Sequence, residues 1–223
     1  MTLLELSLDD IVRALMPAIY ETLIMVGISS VATVVLGLPL GVVLFVTQRG
    51  GIVANPVLSV ILSTIANITR SIPYAILMLS LIPFTRWLTG SSVGAIAACV
   101  SLTIGAVPFF ARLVESALRD VRPGKVDAAH AMGSTRMQTV TKVLLPEAAP
   151  SLVAAVTTTV VTLVGYSAMA GLIGGGGLGR LAYNYGYQRF ETSVQLITIA
   201  ILVGMVQLIQ VLGDVVIRRV DHR

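Results

Sequence analysis

Six stretches of this chain carry no Asp, Glu, Lys or Arg: 22–48, 50–69, 71–85, 87–111, 148–179 and 192–213. Backbone N–H and C=O groups surrounded by hydrocarbon must pair within the protein, so stretches like these fold as bilayer-crossing helices. A crossing needs about 20 apolar residues, and every stretch except the 15-residue 71–85 reaches that length. Charged residues make up only 12% of the 223 positions, against about 25% in a soluble domain. The chain is therefore predicted to be an all-α integral membrane protein.

The short stretch follows 50–69 with no hydrophilic turn between them; the interruption reads Asn67-Ile68-Thr69-Arg70-Ser71-Ile72-Pro73. Reading about 57–82 as one span gives five transmembrane helices, at about 19–46, 57–82, 92–115, 149–172 and 193–217. They form a single transmembrane domain over 1–223 with one long polar loop, 116–147. Ahead of them, 7–16 alternates Asp9, Asp10 and Arg13 with Leu8, Ile11, Val12 and Leu15, a pattern that suits a short interfacial helix.

Lys and Arg set the orientation. With five spans and the N-terminus outside, the inner side carries Arg49, Arg112, Arg119, Arg122, Lys125, Arg136, Lys142, Arg218, Arg219 and Arg223, ten in all. The outer side carries four: Arg13, Arg86, Arg180 and Arg189. A six-span arrangement with the N-terminus inside scores eleven to four, and both place 112–147 and the C-terminus in the cytoplasm. The net charge of +4 thus belongs to basic cytoplasmic loops and gives no case for nucleic acid. The acidic opening MTLLELSLDD lacks the positive n-region of a cleaved signal peptide. Cys99 stands alone in an apolar stretch, which excludes disulfide frameworks and cysteine metal sites.

The loop is the polar island of the sequence. Pro123-Gly124 breaks the chain, and Val126 to Met132 is predicted to form two helical turns with Asp127 in the first, where the helix dipole favours an anion. Ala128, Ala129 and Ala131 are small and let another surface approach. Gly133 suits the position after the helix, and Ser134 can cap the next one. By these features alone, a loop lying on lipid headgroups and a docking surface fit equally well.

The series Asp127-Ala128-Ala129, Gly133, Val143, Leu145-Pro146 resembles the EAA motif of binding-protein-dependent ABC importer permeases, E-A-A-x-x-x-G-x9-I-x-L-P. Spacing agrees throughout, with Asp127 in place of Glu and Val143 in place of Ile. The aspartate keeps the charge of the family's glutamate and is shorter by one methylene. Asn67 to Pro73, Val164 to Gly171, Gly175 to Gly179 and Tyr185-Gly186-Tyr187 are similar to the methionine importers within that class, and the likeness runs from about 18 to 220. It implies the type I ABC importer permease fold, working as a homodimer by alternating access. It implies a coupling helix over 126–137 that docks into a cytoplasmic ATPase subunit through Asp127, Ala128, Ala129, His130, Met132, Gly133, Ser134, Arg136 and Met137. It further implies two such subunits, which bind ATP and Mg, and an extracytoplasmic methionine-binding lipoprotein. No cofactor is expected in this chain.

Arg70 falls near the middle of the second span, where an arginine costs about 2.5–3.5 kcal/mol on insertion scales. It either faces the translocation path or dimer seam, or bonds to carbonyls freed near Pro73. Tyr166, Ser167 and Met169 lie where the fourth helix could line the path, a flexible methionine suiting an apolar gate; plain helix packing accounts for them as well. Gly165 to Gly179 holds seven glycines and formally satisfies G-x-G-x-x-G, but no strand precedes it, so a dinucleotide site is excluded. Close helix packing and a tight turn at the outer face account for it instead. Tyr183, Tyr185 and Tyr187 read as an interfacial aromatic belt. Glu21 reads as a charge at a helix start. His130 and His222 are too few for a metal site. Asn67-Ile68-Thr69 is a glycosylation sequon in letters only, since it lies within a span.

Three functions compete. No G-x-x-x-x-G-K-[ST] occurs, so a permease would be driven from outside, and the chain itself is no enzyme. A secondary carrier usually needs intramembrane ionisable groups, and only Arg70 qualifies. An intramembrane enzyme lacks a catalytic set. Within the permease class, the alternative to methionine (L- and D-) is another small solute.

Overall fold

The computed structural model describes residues 8–221, which leaves the opening heptapeptide, His222 and Arg223 outside the description. The first helix, α1, runs Leu8–Val46, and at 39 residues it is about 58 Å long. Among the described residues, 8–16, expected as a short interfacial helix, are the first turns of α1. Ile11, Leu15 and Ala18 form one stripe at helical spacing, and that stripe is buried against Leu178, Leu181 and Val194 rather than laid on lipid. Protein packing therefore carries the helix straight through the acidic start.

Helix α2, Pro56–Ser71, begins with the Asn55 side chain accepting from the Leu58 N–H at 3.1 Å and with proline in its first turn. Its end is dictated by Pro73: the preceding Ile72 is extended, at φ −80° and ψ 123°, because the proline ring disfavours helical geometry one residue earlier. The chain resumes as α3, Tyr74–Ser80, and α4, Ile82–Thr89. The segment expected as one span over 57–82 is thus broken near its middle. Among the described residues, four helices are long and apolar enough to cross a membrane, and α2 with α3 makes a fifth as a broken pair.

Helix α5 is Ala95–Arg119, with Pro108 inside it. Short pieces follow: α6, Pro123–Ala131; α7, Arg136–Gln138; a π-helical turn, Thr139–Leu144; and α8, Leu145–Glu147. Helix α9, Ala149–Ala170, leads through a π turn, Gly171–Gly175, into α10, Gly177–Leu181. A further π turn, Ala182–Tyr187, precedes α11, Thr192–Val220.

The chain divides into two units, and the long helices contribute to both. The first takes α1 up to Val31, Pro73–Ile104 and Val160–Ile209. Its core includes the Ile11 stripe, with Tyr185, Ile197 and Met205 packed around it. In the second, Phe110, Val114 and Leu118 of α5 recur every four residues and bury against Leu144, Ala148 and Ala155. There α1 approaches α5 at Gly41, where a Cβ would stand 2.5 Å from Val114 Cβ and 2.6 Å from the Ala111 carbonyl. Only a residue without a side chain permits that spacing.

The glycine run does in the first unit what no other residue could. Gly174, Gly176 and Gly177 all take positive φ, at 102°, 87° and 71°. A Cβ on Gly171 would lie 2.5 Å from the Arg180 nitrogen, so the end of α9 and α10 touch backbone to backbone.

Candidate functional site

The motif residues fold as a helix with a closed end. Helix α6 starts at Pro123, three residues before the expected Val126, because proline's missing N–H and fixed φ suit the first helical position. Asp127 consequently lies in the second turn, not the first, and is exposed. The Gly133 N–H donates to the His130 carbonyl at 2.9 Å and the Ser134 N–H to Ala129 at 3.1 Å. With Gly133 at φ +79°, this is a Schellman closure that satisfies the last carbonyls. The next N-cap is Thr135, not Ser134: the Thr135 hydroxyl accepts from the Gln138 N–H, and the Gln138 side chain accepts from the Thr135 N–H. Ser134 instead pairs with the Thr139 hydroxyl at 2.9 Å.

This framework sorts the motif side chains. Ala129 is buried under α6, while Asp127, Ala128, His130, Gly133 and Arg136 are exposed. Met132 and Met137 are 82% and 71% exposed, two flexible apolar side chains offered outward from one folded element. Lys125, at the start of α6, pairs with Glu147 of α8.

Tyr166 of α9 lies face to face with Tyr74, ring centroids 4.5 Å apart and planes 3° from parallel. Met169, one turn further on, is exposed. Ser167 is buried and donates to the Val164 carbonyl of its own helix at 2.7 Å. Pro73 is exposed at the start of α3. Arg70 is also exposed, its guanidinium 5.8 Å from the centre of the Phe109 ring, an aromatic partner.

Two acidic residues do more than their sequence positions suggested. Glu115 is 4% exposed and accepts from Arg112 and Arg119, both at 2.6 Å, and from Gln48 at 2.5 Å. Arg112 reaches on to the Ser63 carbonyl and the Asn67 side chain of α2, each at 3.1 Å. The spacing of Arg112, Glu115 and Arg119 at i, i+3 and i+7 could have flagged this clasp. Glu21 is the other. It sits within α1, not at a helix start, and accepts the Gly177 N–H at 2.6 Å, while Thr22 accepts the Leu178 N–H at 2.9 Å. Among the described residues, no group of three or more His, Cys, Asp and Glu side chains could hold a metal ion.

A helical chain with several bilayer-length apolar helices, interrupted by a capped and exposed polar segment between two of the last, is a multi-pass membrane protein built to meet something in water. The chain belongs to the family of binding-protein-dependent transport system inner membrane components, whose pattern matches residues 37–223. It is 49% identical over 209 residues to the probable D-methionine transport system permease protein MetI of Vibrio cholerae, covering 94% of this chain and 93% of that one. The protein of the same description from Pasteurella multocida is 47% identical over 203 residues, covering 91% and 94%. A solved inward-facing structure of the MetNI methionine ABC transporter superposes with a TM-score of 0.95 at 48% identity, covering 97% of this chain and 100% of that chain.

Proposed function

We propose that this chain is the membrane-spanning permease subunit of an ATP-driven importer that carries methionine, in both L and D forms, inward by alternating access. Two copies form the pathway, two ATPase subunits bind ATP and Mg on the cytoplasmic side, and an extracytoplasmic binding protein delivers the substrate. The chain itself holds no cofactor. The segment 116–147 and the C-terminus are in the cytoplasm, as the distribution of Lys and Arg favours, and with five spans the N-terminus is then outside.

The observation that carries this reading is α6: a short helix closed at Gly133 that turns Asp127, Ala128, His130, Met132 and, beyond the turn, Arg136 and Met137 toward water. Rigid closure at both sides of the turn makes the segment a lever that passes motion to α8 and α9 instead of absorbing it. In the first unit, Tyr166 and Met169 line the path, with Pro73 at the start of α3 and Ser167 packing α9; in the second, Arg70 at the end of α2 is a further path residue.

Purification from membranes tests it. The chain is expected to bring down a soluble ATPase, and Ala128→Trp to abolish that association while leaving the chain folded. Methionine uptake that persists in vesicles without ATP, driven by an ion gradient, would overturn the reading.

A further inference from the structure

Tyr166 owes its orientation to a residue that the path itself does not require. Tyr74 is the first residue of α3, directly after the break at Ile72-Pro73. It is only 5% exposed. Its ring covers the face of Tyr166 almost in parallel, and its hydroxyl lies 3.2 Å from the Ser101 Oγ. Ser101 donates its own proton to the Ala98 carbonyl at 3.0 Å, which leaves its lone pairs to receive the Tyr74 proton. Met78, one turn along α3, adds a sulfur 3.8 Å from the same hydroxyl. The ring is thus held at its edge by α5 and α3 and presents its flat side to α9.

We propose that Tyr74 is a positioning residue for transport: anchored through Ser101, it fixes the ring plane of Tyr166 and so sets the shape of the substrate-facing side of α9. This rests on the reading that Tyr166 lines the path. A ring with one face covered can rotate little about its own bonds, and the free face stays flat toward the solute. Apolar side chains of the solute are then selected by fit against a fixed plane. Loss of that plane weakens substrate recognition and leaves the ATP-driven step intact.

The test is methionine uptake into vesicles by the transporter assembled with its ATPase subunits and supplied with binding protein. Tyr166→Ala and Tyr74→Leu are each expected to raise KM about fivefold, the loss typical of a stacked aromatic pair, with kcat little changed. The double variant is expected to match Tyr166→Ala alone, because Tyr74 acts through that ring. Tyr74→Phe and Ser101→Ala, which keep the stack and remove only the hydrogen bond, are expected to raise KM about twofold. Additive losses in the double variant overturn the proposal, as does a wild-type KM in Tyr74→Leu when Tyr166→Ala is impaired; the pathway reading survives both. A wild-type KM in Tyr166→Ala overturns both together. Should Tyr74→Leu fail to assemble, a wild-type KM in both Tyr74→Phe and Ser101→Ala overturns the positioning role.

Discussion

The Glu21 carboxylate caps the backbone N–H of Gly177, 156 positions away, at 2.6 Å. Gly177 is buried and opens α10, so a helix of only five residues has its first donor satisfied by a side chain from α1. With Thr22 serving Leu178, two consecutive residues of α1 serve two consecutive donors.

Removing the cap should therefore cost more than removing a surface charge. Glu21→Ala leaves a buried donor without a partner and is expected to lower stability by about 1–3 kcal/mol. Glu21→Gln keeps an acceptor and should lose less. Thermal unfolding of the purified protein in detergent checks the order; equal midpoints for Glu21→Ala and the parent would remove the cap from the account.

Glu115 is the larger liability. Its replacement by Ala takes the carboxylate away from Arg112 and Arg119 and is expected to destabilise the protein by about 3 kcal/mol, the low end of the cost of breaking a buried ion pair from one side. Arg119 is 62% exposed on its side chain and Arg112 20%, so Arg112→Ala should hurt more than Arg119→Ala. The same melting series reads out both comparisons.

Gly133 has open space where a Cβ would be, so substitution there is a matter of backbone geometry alone. At φ +79°, Gly133→Val should cost about 1–2 kcal/mol locally, whereas Gly133→Asn should be nearly neutral because asparagine tolerates that region. Hydrogen exchange over 129–134 is expected to speed up in the valine variant only. Proposed ATPase association should follow the same order.

Gly41 presents the opposite case, with ordinary helical geometry and no room. Gly41→Leu drives atoms into Val114 and the Ala111 carbonyl and is expected to lose about 1–3 kcal/mol through overpacking. A melting midpoint unchanged by that substitution would mean that α1 and α5 are not in contact there.

Lys125 and Glu147 pair in a half-exposed setting. Lys125→Ala should therefore change stability by no more than about 1 kcal/mol, and the effect should shrink further in high salt.

The architecture was legible wherever the signal is local. Charge-free length marks α1, α5, α9 and α11 without ambiguity, and glycine at 133 marks the end of α6. The start of α6 lies three residues before the expected Val126 because Pro123 opens the helix instead of breaking the chain, proline being favoured at a first helical position. The interruption at Asn67 to Pro73 is visible in letters, but without a polar turn beside it the letters do not distinguish a continuous span from the broken one the structure has. Other features were beyond reach for a physical reason. Glu21 finds its partner 156 residues later, and the Tyr74–Tyr166 stack joins α3 to α9; neither follows a helical period or a short spacing. Glu115 was half legible: its two arginines lie at helical intervals, but Gln48 reaches it, and Arg112 reaches the α2 groups, only through tertiary packing.

The Glu115 clasp also carries information about time. Its acceptors and donors come from Gln48, Ser63, Asn67, Arg112, Glu115 and Arg119, and a ribosome delivers them in that order, at about 5–20 residues per second. Several seconds separate the synthesis of Asn67 from that of Arg112, and in that interval the Ser63 carbonyl and the Asn67 side chain have not yet met the guanidinium they bond. The clasp between α2 and α5 thus closes only when the end of α5 arrives, and the rest of the second unit is added after it.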